Sequence, residues 1–173
     1  MIDRFVGMSR AELSEALEQG HAIDPAVLAG SRYRGVSLGL PGWVDRLAWK
    51  TFEKDFVPRS EGATALRGWN VRLEQTGLDG PVVPRRRRGE PVRFGHFDVH
   101  AREDGTLDLD YGTLRNGRFD PIRRLRDPLV ALEAGSVTWL LGASDVSVRG
   151  RRVRTPSYFV LQRLGPVERA PGW

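Results

Sequence analysis

Apolar positions near the N-terminus recur with the period of an α-helix. Residues 10–19 place their leucines and alanines on one stripe, opposite an acidic face. Ser9 and Glu12 have the spacing of a capping box at the start of this helix. The dipeptide Asp24-Pro25 has the N-cap and first-turn chemistry of a second, shorter helix. We therefore predict a short helical segment over residues 1–30.

From residue 31 onwards apolar and polar residues alternate, which is typical of β-strands. Gly, Pro, Asp-Gly and Asn-Gly positions interrupt the alternation as turns do. Gly95 indicates an irregularity within one strand, and Pro128 argues against a long helix over residues 122–132. The predicted strands are 32–40, 52–56, 69–74, 92–101, 107–111, 137–141, 145–148 and 158–164.

Many short strands without alternating helices predict a mainly β fold, and closing the sheet removes its exposed edges. The predicted fold is therefore an antiparallel β-barrel of about eight to ten strands with a short N-terminal helical segment. A length of 173 residues, with 40% apolar residues and five Trp, favours a single packed domain over residues 1–173. Within it we assign residues 31–164 to the barrel and residues 165–173 to a tail.

The chain contains no cysteine, which excludes disulfides, thiolate metal ligands and a thiol nucleophile. No run approaches the about 20 consecutive apolar residues that a membrane-spanning helix needs. The stretch from Met1 to Phe5 lacks the basic-then-apolar signature of a secretory signal. These observations lead us to expect a cytoplasmic protein without a membrane span.

The formal net charge of +5 comes from 27 basic residues, of which only two are lysines, and 22 acidic residues. So strong a preference for arginine is typical of GC-rich codon usage. Four arginines are consecutive, Arg85 to Arg88, in a Pro-flanked loop. Binding of nucleic acid or of an acidic partner through this run is one alternative function, and the arginines of residues 115–126 extend it if the two segments meet. Nucleic acid is not the expected partner, because the excess charge is confined to these segments.

The first predicted strand opens with the sequence Leu28-Ala-Gly-Ser-Arg-Tyr33-Arg-Gly35. Its pattern, Gly30-x-x-Tyr33-x-Gly35, resembles the Gly-x-Trp-x-Gly opening of calycin-type barrels, with Tyr33 at the Trp position. In particular, the chain resembles the bacterial GXWXG/DUF4334 proteins, whose tail is similar to the segments 107–112, 121–127 and 158–163. The resemblance implies a calycin-like barrel of the kind found in lipocalins, fatty-acid-binding proteins and nitrobindins.

This resemblance also implies roles for individual residues. In such barrels an Arg from the last strand packs across the opening aromatic residue at the closed end, which gives Arg163 and Tyr33 a structural role. Binding of a ligand carboxylate is the alternative for Arg163. The resemblance places Trp43 and Leu47 at a ligand portal between the first two strands, with packing in the core as the alternative. We expect no cofactor, and a haem ligated by one histidine is the alternative that nitrobindin-like barrels imply.

The inward faces of the predicted strands are rich in aromatic residues, and a barrel of eight or more strands can hold one small ligand. We therefore hypothesise a non-catalytic binding protein for a small hydrophobic molecule. An exposed Trp would in addition be a candidate for a homodimer interface. The residues expected to line the pocket are Trp69, Val71, Phe94, Phe97, Val99, Leu109, Tyr111 and Phe159.

Candidate catalytic chemistry centres on His96, Asp98 and His100, which share one face of a strand. His96 and His100 start about 13 Å apart, too far to share one zinc ion without bending the strand. His96 and Asp98, about 6.6 Å apart, could share an ion if a third ligand came from elsewhere. We nevertheless predict no metal site and expect these residues to face solvent. An isomerase or hydrolase that uses His96 and Asp98 inside the barrel is the alternative. Asp108 and Asp110 also share a face, which we expect to be the outer one.

Overall fold

The computed structural model describes residues 2–39, 50–60, 63–148 and 151–167, and its strands close into an antiparallel barrel. Three short helices come first: α1 (Ile2–Val6), α2 (Arg10–Glu18) and α3 (Pro25–Leu28). A 3-10 helix over Pro121–Arg124 leads into the eighth strand. The strands are β1 (Ser31–Leu38), β2 (Thr51–Pro58), β3 (Leu66–Arg72), β4 (Arg86–Arg87), β5 (Glu90–Pro91), β6 (Arg93–Ala101), β7 (Leu107–Asp110), β8 (Leu125–Glu133), β9 (Ser136–Val148) and β10 (Arg151–Pro166).

Eight of these strands form the barrel, in the order β1-β10-β9-β8-β7-β6-β3-β2, and β2 pairs with β1 to close it. β4 and β5 form a separate two-stranded hairpin. Each barrel strand has an antiparallel neighbour on both sides, so closure protects the edges that an open sheet would expose. The prediction of a mainly β fold with an antiparallel barrel and a short N-terminal helical segment is confirmed.

The strand pattern differs from the sequence prediction in the last third of the barrel. Residues 137–141 and 145–148, predicted as two strands, belong to the single strand β9. Gly142 and Ala143 interrupt the alternation in the sequence, but Gly142 pairs with Phe159 of β10. A Cβ at Gly142 would overlap the Phe159 ring, so the ring takes the space that a side chain would need. The glycine is a packing position within a continuous strand.

The first two helices cover part of the outer surface of the barrel. α2 begins at the predicted capping box: the Glu12 N–H donates to Ser9 Oγ (3.3 Å), and the Ser9 N–H donates to the Glu12 carboxylate (2.7 Å). Its buried residues Leu13 and Leu17 join Phe5 of α1 in an apolar cluster with residues from the outer faces of the strands. Among the helices of the described ranges, none is both long enough and apolar enough to cross a membrane.

One end of the barrel is closed by α3 and by the segment that leads into it. Ile23 and Leu28 belong to the same buried cluster as Tyr33, Phe56 and other inward-facing residues. Leu28 is fully buried, whereas the adjacent Val27 is 45% exposed. We refer to this end as the closed end.

The barrel interior has two halves of different character. Toward the closed end, aromatic rings pack edge to face, with 5.6 Å between the centroids of Tyr33 and Phe56 and 5.5 Å between those of Phe56 and Phe97. Toward the other end, the strands surround a pocket of about 340 Å³. This space, called the interior pocket below, rests on the packed half.

Candidate ligand-binding site

The interior pocket has a mostly aromatic wall with a few polar groups. Its volume lies within the range of about 300–1,000 Å³ that is typical of small-molecule sites. The apolar and aromatic lining residues are Phe52, Phe94, Tyr111, Ile122, Leu125, Tyr158 and Phe159. The polar lining residues are Ser37, Lys54, Asn70, Asp127, Ser144 and Ser157.

Three of these side chains form a hydrogen-bonded chain, called the Lys–Tyr–Asp triad below. Lys54 Nζ donates to Tyr111 Oη over 2.7 Å, and Tyr111 Oη donates to Asp127 Oδ2 over 2.9 Å. Lys54 lies on β2, Asp127 lies on β8, and Tyr111 directly follows β7. All three residues are buried, with Lys54 only 1% exposed. Barrel closure therefore brings a basic and an acidic group together inside an apolar interior.

Burial is the main cause of the shifted pKa values of the three triad side chains. It lowers the pKa of Lys54 from 10.5 to about 8, although the charge of Asp127 favours the ammonium form. Burial likewise raises the pKa of Asp127 to about 6, and the charge of Lys54 opposes that rise. The pKa of the Tyr111 phenol is raised well above its ordinary value by burial and by the charge of Asp127. Near neutral pH the triad is therefore an ion pair whose amine releases its proton more readily than an ordinary lysine does.

Aromatic rings surround the Lys54 ammonium group. At these distances a ring face attracts a cation and replaces part of its lost hydration. The distances from Nζ to the ring centroids are 4.6 Å for Phe97, 5.1 Å for Phe159, 5.3 Å for Tyr111 and 5.7 Å for Phe52.

Three of the four rings lie against glycines of the neighbouring strands. In each pair a Cβ on the glycine would overlap the ring. The missing side chains thus make room for the rings that surround Lys54. The pairs are Gly35 with Phe52, Gly68 with Phe97 and Gly142 with Phe159.

The substitution Gly142→Ala is expected to lower the free energy of unfolding by about 1–3 kcal/mol, because the added methyl group overlaps the Phe159 ring. Gly117→Ala is the matched control, since the nearest atom to a Cβ at Gly117 lies 4.0 Å away. The control should stay within about 0.5 kcal/mol of the wild type. Urea denaturation followed by Trp fluorescence measures both, and equal stability of the two variants would contradict the packing role of Gly142.

Asp127 keeps an unused hydrogen-bond acceptor at the interior pocket. Its Oδ2 accepts from Tyr111, whereas its buried Oδ1 accepts no hydrogen bond from the residues that the structure describes. Hydrogen bonding from the nearby Ser144 hydroxyl lowers the pKa of Asp127, but no well-aligned hydrogen bond to Oδ1 is formed. A buried polar atom without a partner costs about 1–3 kcal/mol. A ligand that donates a hydrogen bond to Oδ1 would recover this energy.

The structure distributes the predicted pocket residues over three environments. The predicted portal residues, Trp43 and Leu47, lie outside the described residues. Three predicted residues line the interior pocket: Phe94, Tyr111 and Phe159. Three others face the packed half of the interior: Phe97, Val99 and Leu109. The last two, Trp69 and Val71, lie elsewhere.

Trp69 and Val71 lie on the outer face of β3, which corrects the prediction that they line the pocket. They form a separate buried cluster with Val57, against which Val167 packs. The Arg93 guanidinium carbon lies 5.6 Å from the centroid of the Trp69 ring. Alternation distinguishes the two faces of a strand but does not show which one points inward. On β3 the larger apolar side chains lie outside.

β6 is irregular at Gly95, as the sequence predicts. Gly95 has a φ of 54°, and Phe97 pairs with Gly68 while Phe94 pairs with Asn70. The extra residue on β6 shifts the alternation, so that Phe94 and Phe97 both face the interior. Asn70 Nδ2 donates to the Gly95 carbonyl over 3.1 Å and links the irregular backbone to β3.

His96 and Asp98 lie on the outer face of β6, beside a small groove that Arg59 and Arg115 also line. Burial and the positive charges around it, first that of Arg115, lower the pKa of His96. Asp98 Oδ2 lies 3.7 Å from an Arg59 nitrogen, and His100 is exposed. Neither His96 nor Asp98 lines the interior pocket, so the hypothesis of an enzyme that uses them inside the barrel is corrected.

Histidine ligands are not available to a haem in the interior pocket, since its lining within the described ranges contains no histidine. Within the same ranges, no group of three or more His, Asp or Glu side chains is arranged to hold a metal ion. Asp108 and Asp110 lie on the outer surface in ion pairs, with Arg152 at 2.9 Å and Arg126 at 2.7 Å respectively.

Tyr33 and Arg163 are paired neighbours on β1 and β10. Tyr33 is fully buried, and its hydroxyl donates to the Val137 carbonyl over 3.0 Å. Arg163 is exposed and donates to Ser31 Oγ over 2.8 Å. Burial raises the pKa of Tyr33 to about 12, and the charge of Arg163 opposes that rise. These contacts favour the structural interpretation of Arg163, which does not line the interior pocket.

The two arginine-rich segments border different surface pockets. Arg85–Arg88 are exposed and include the turn of the β4–β5 hairpin, where Arg86 lines a pocket with Glu53 and Asp55. Four of the five arginines of residues 115–126 line two other pockets together with aspartates: Arg123, Arg124 and Arg126 line one, and Arg115 lines the other. Both segments therefore lie beside carboxylates that reduce the excess positive charge. The same loop region carries the exposed side chains Leu114 and Phe119, which are 90% and 91% exposed.

Lys54 and Asp127 are functional residues of the pocket that are not among the predicted site residues. A signal existed for Lys54: it alternates with Phe52 and Phe56, so a charged residue stands on the apolar face of a predicted strand. It is also one of only two lysines in the chain. Asp127 lies directly before Pro128, in a segment whose structure the pattern did not decide. Nothing local connects Asp127 with Lys54, because the two meet only through closure of the barrel.

The chemistry of the interior pocket is thus the basis for assigning a function. It combines aromatic walls, a buried ion pair and a carboxylate oxygen that makes no well-aligned hydrogen bond with the described residues. No protein-family model matches the chain, and no curated protein matches it.

Proposed function

We propose that this chain is a non-catalytic binding protein for a small, largely apolar molecule that carries one polar group. The supporting observation is the buried Asp127 Oδ1, which lies in the wall of an aromatic pocket and makes no well-aligned hydrogen bond with the described residues, although the Ser144 hydroxyl is close to this carboxyl. Native interiors rarely leave such an atom unsatisfied unless a ligand or water completes it. The proposal includes kinship with calycin-like GXWXG/DUF4334 barrels, whose interior would hold the ligand.

The apolar part of the ligand would lie against the rings that line the pocket wall. Phe52, Phe94 and Phe159 are among these rings. Each Å² of apolar surface removed from water contributes roughly 25 cal/mol, so burial of a ligand with one or two rings favours binding by several kcal/mol. The lost entropy of association offsets part of this gain. Apolar contact therefore provides affinity, while the polar group provides orientation.

The polar group would be placed at the triad. A donor on the ligand would hydrogen-bond to Asp127 Oδ1. An acceptor on the ligand would receive a hydrogen bond from the Lys54 ammonium, through an N–H that otherwise faces an aromatic ring. Because the ion pair is buried, hydrogen bonds to it are stronger than those at the protein surface. The pocket should therefore prefer molecules with a hydroxyl or carbonyl group to pure hydrocarbons of the same size.

Fluorescence titration with N-phenyl-1-naphthylamine, a neutral apolar probe, tests this function. Ser144→Phe fills the pocket from β9, and Ser147→Phe is the matched control, since Ser147 lies on the same strand but lines a surface pocket instead. We expect saturable binding to the wild type and to the control. The Ser144 variant should bind at least about tenfold more weakly, which corresponds to 1.4 kcal/mol.

Urea denaturation of both variants first establishes that they are folded. Binding that is equally strong in the Ser144 and Ser147 variants would show that the probe binds elsewhere and would refute the assignment. Absence of saturable binding in the wild type, for this probe and for its hydroxylated analogues, would also refute it.

A further inference from the structure

Lys54 places a nucleophilic amine in the wall of the interior pocket. Non-covalent binding does not require a nucleophile at this position. Among the described residues, its Nζ donates one hydrogen bond, to Tyr111 Oη. The rest of the amine faces rings, of which Phe97 and Phe159 are the nearest. Ring faces are weak partners, so the amine can turn toward a bound molecule without losing a strong hydrogen bond.

The other amine side chain of the chain, Lys50, provides an internal comparison. Lys54 is buried within the barrel, whereas Lys50 precedes β2 and is half-buried. Burial lowers the pKa of Lys54 to about 8. A lysine whose pKa is lowered in this way carries more neutral amine near neutral pH than an ordinary lysine does. Neutral amines, and not ammonium ions, attack carbonyl carbons.

We propose that Lys54 captures its ligand covalently and reversibly, as an imine with a small apolar aldehyde or unhindered ketone. This inference rests on the proposed function, because it places the carbonyl carbon at Lys54 and the apolar remainder in the interior pocket. It narrows the ligand class from molecules with any polar group to carbonyl compounds. Arginine at this position would retain the charge but could not form the bond.

The reaction balances without an external oxidant or reductant. The Lys54 ammonium first passes one proton through Tyr111 to Asp127, and the neutral amine then forms a C–N bond to the carbonyl carbon. The carbonyl oxygen takes up a proton from the amine nitrogen, which gives a neutral carbinolamine. The hydroxyl group of the carbinolamine takes up the proton held by Asp127 and leaves as water, while the nitrogen lone pair forms the C=N bond. The sum converts one ammonium ion and one carbonyl into one protonated imine and one water.

The groups around Lys54 can stabilise both the carbinolamine and the protonated imine. The carbinolamine hydroxyl can donate to Asp127 Oδ1, which makes no well-aligned hydrogen bond with the described residues. The protonated imine keeps the positive charge of the ammonium, so it still pairs with the Asp127 carboxylate and still faces the rings. Exclusion of bulk water by the barrel slows hydrolysis of the imine.

Reductive trapping tests the proposal on the full chain. The protein is incubated with 3-phenylpropanal and sodium cyanoborohydride, and modified lysines are identified by peptide mapping. The trapped adduct adds the mass of the aldehyde less one oxygen. We expect Lys54 to be modified at least about tenfold faster than Lys50, because the interior pocket holds the aldehyde beside the Lys54 amine. Excess N-phenyl-1-naphthylamine and the Ser144→Phe variant should each slow the modification of Lys54 but not that of Lys50.

The outcomes separate this inference from the proposed function. If the naphthylamine binds as expected but Lys54 is modified no faster than Lys50, covalent capture is refuted while ligand binding stands. If Lys54 is modified rapidly but neither the probe nor the Ser144 variant slows it, the reaction does not proceed through the interior pocket and the proposal is again overturned. Lys54→Arg should abolish the adduct at this position, whereas Lys50→Arg, outside the interior pocket, should leave the modification of Lys54 unchanged.

Discussion

Lys54→Met and Asp127→Leu are each expected to destabilise the protein by about 3–5 kcal/mol, because each leaves the other charge buried without its partner. The triple substitution Lys54→Met, Tyr111→Phe and Asp127→Leu should instead lie within about 1 kcal/mol of the wild type or above it. It removes both charges and the phenol that joins them, so no buried polar atom of the triad is left unsatisfied. Urea denaturation followed by Trp fluorescence measures all four proteins.

The pH dependence of these variants provides a sharper test. In the wild type the pKa of Asp127 is raised from 3.8 to about 6, so its stabilising contribution is complete below pH 3.8 and is lost as pH rises through about 6. The pKa of Lys54 is lowered from 10.5 to about 8, so its contribution is complete above pH 10.5 and is lost as pH falls through about 8. Between about pH 6 and 8 both side chains are charged, so the burial of each charge lowers the stability of the folded state.

The two single variants should therefore respond to pH in opposite directions. Lys54→Met removes the charge that lowers the pKa of Asp127, while the charge of Asp145 still raises it, so the stability deficit grows as pH rises. Asp127→Leu removes the charge that raises the pKa of Lys54, so its deficit grows as pH falls. The triple variant should show neither trend. Parallel pH profiles for the two single variants would contradict a coupled, buried ion pair.

Leu28→Ala is expected to cost about 2–5 kcal/mol of unfolding free energy, because Leu28 is fully buried in the cluster at the closed end of the barrel. Its neighbour Val27 lies on the same helix and is 45% exposed, so Val27→Ala is the matched control. The control should change the stability by no more than about 0.5 kcal/mol. The comparison separates loss of core contacts from any effect on α3 itself.

The measurement is again urea denaturation, with far-UV circular dichroism to confirm that both variants keep their strands. Leu28→Ala should also leave the affinity for N-phenyl-1-naphthylamine nearly unchanged at low urea, since Leu28 does not line the interior pocket. Similar stabilities of the two variants would show that α3 does not contribute to the closed end as its burial indicates.

The fold was largely predictable, because each element is encoded by short-range chemistry. Ser9 and Glu12 form the capping box that their spacing predicts. The irregularity at Gly95 also appears where a glycine interrupts an alternating strand. The strand β9 was predicted as two strands because a glycine can either end a strand or make room for a neighbouring side chain. Gly142 does the second, since the Phe159 ring of the next strand occupies the space beside it.

The candidate site was predictable only in part. Tyr111 and Phe159 belong to long alternating strands or their ends, and their inward positions follow from that alternation. Trp69 was misassigned because both faces of β3 carry residues that are suited to burial. Lys54 stands out in the sequence as a charged residue on an apolar strand face, but its role depends on Tyr111 and Asp127, which come from other parts of the chain.

The sequence by itself determined that this protein is an antiparallel barrel with a helical N-terminal segment, because alternation, turn residues and caps act between neighbours along the chain. Only the tertiary structure decided which face of β3 points inward and which polar groups meet in the interior. Lys54 and Asp127 are 73 positions apart in the numbering and come together only when eight strands close. A hydrogen-bonded ion pair depends on distances of about 3 Å, and such distances between remote residues are set by barrel closure rather than by local pattern.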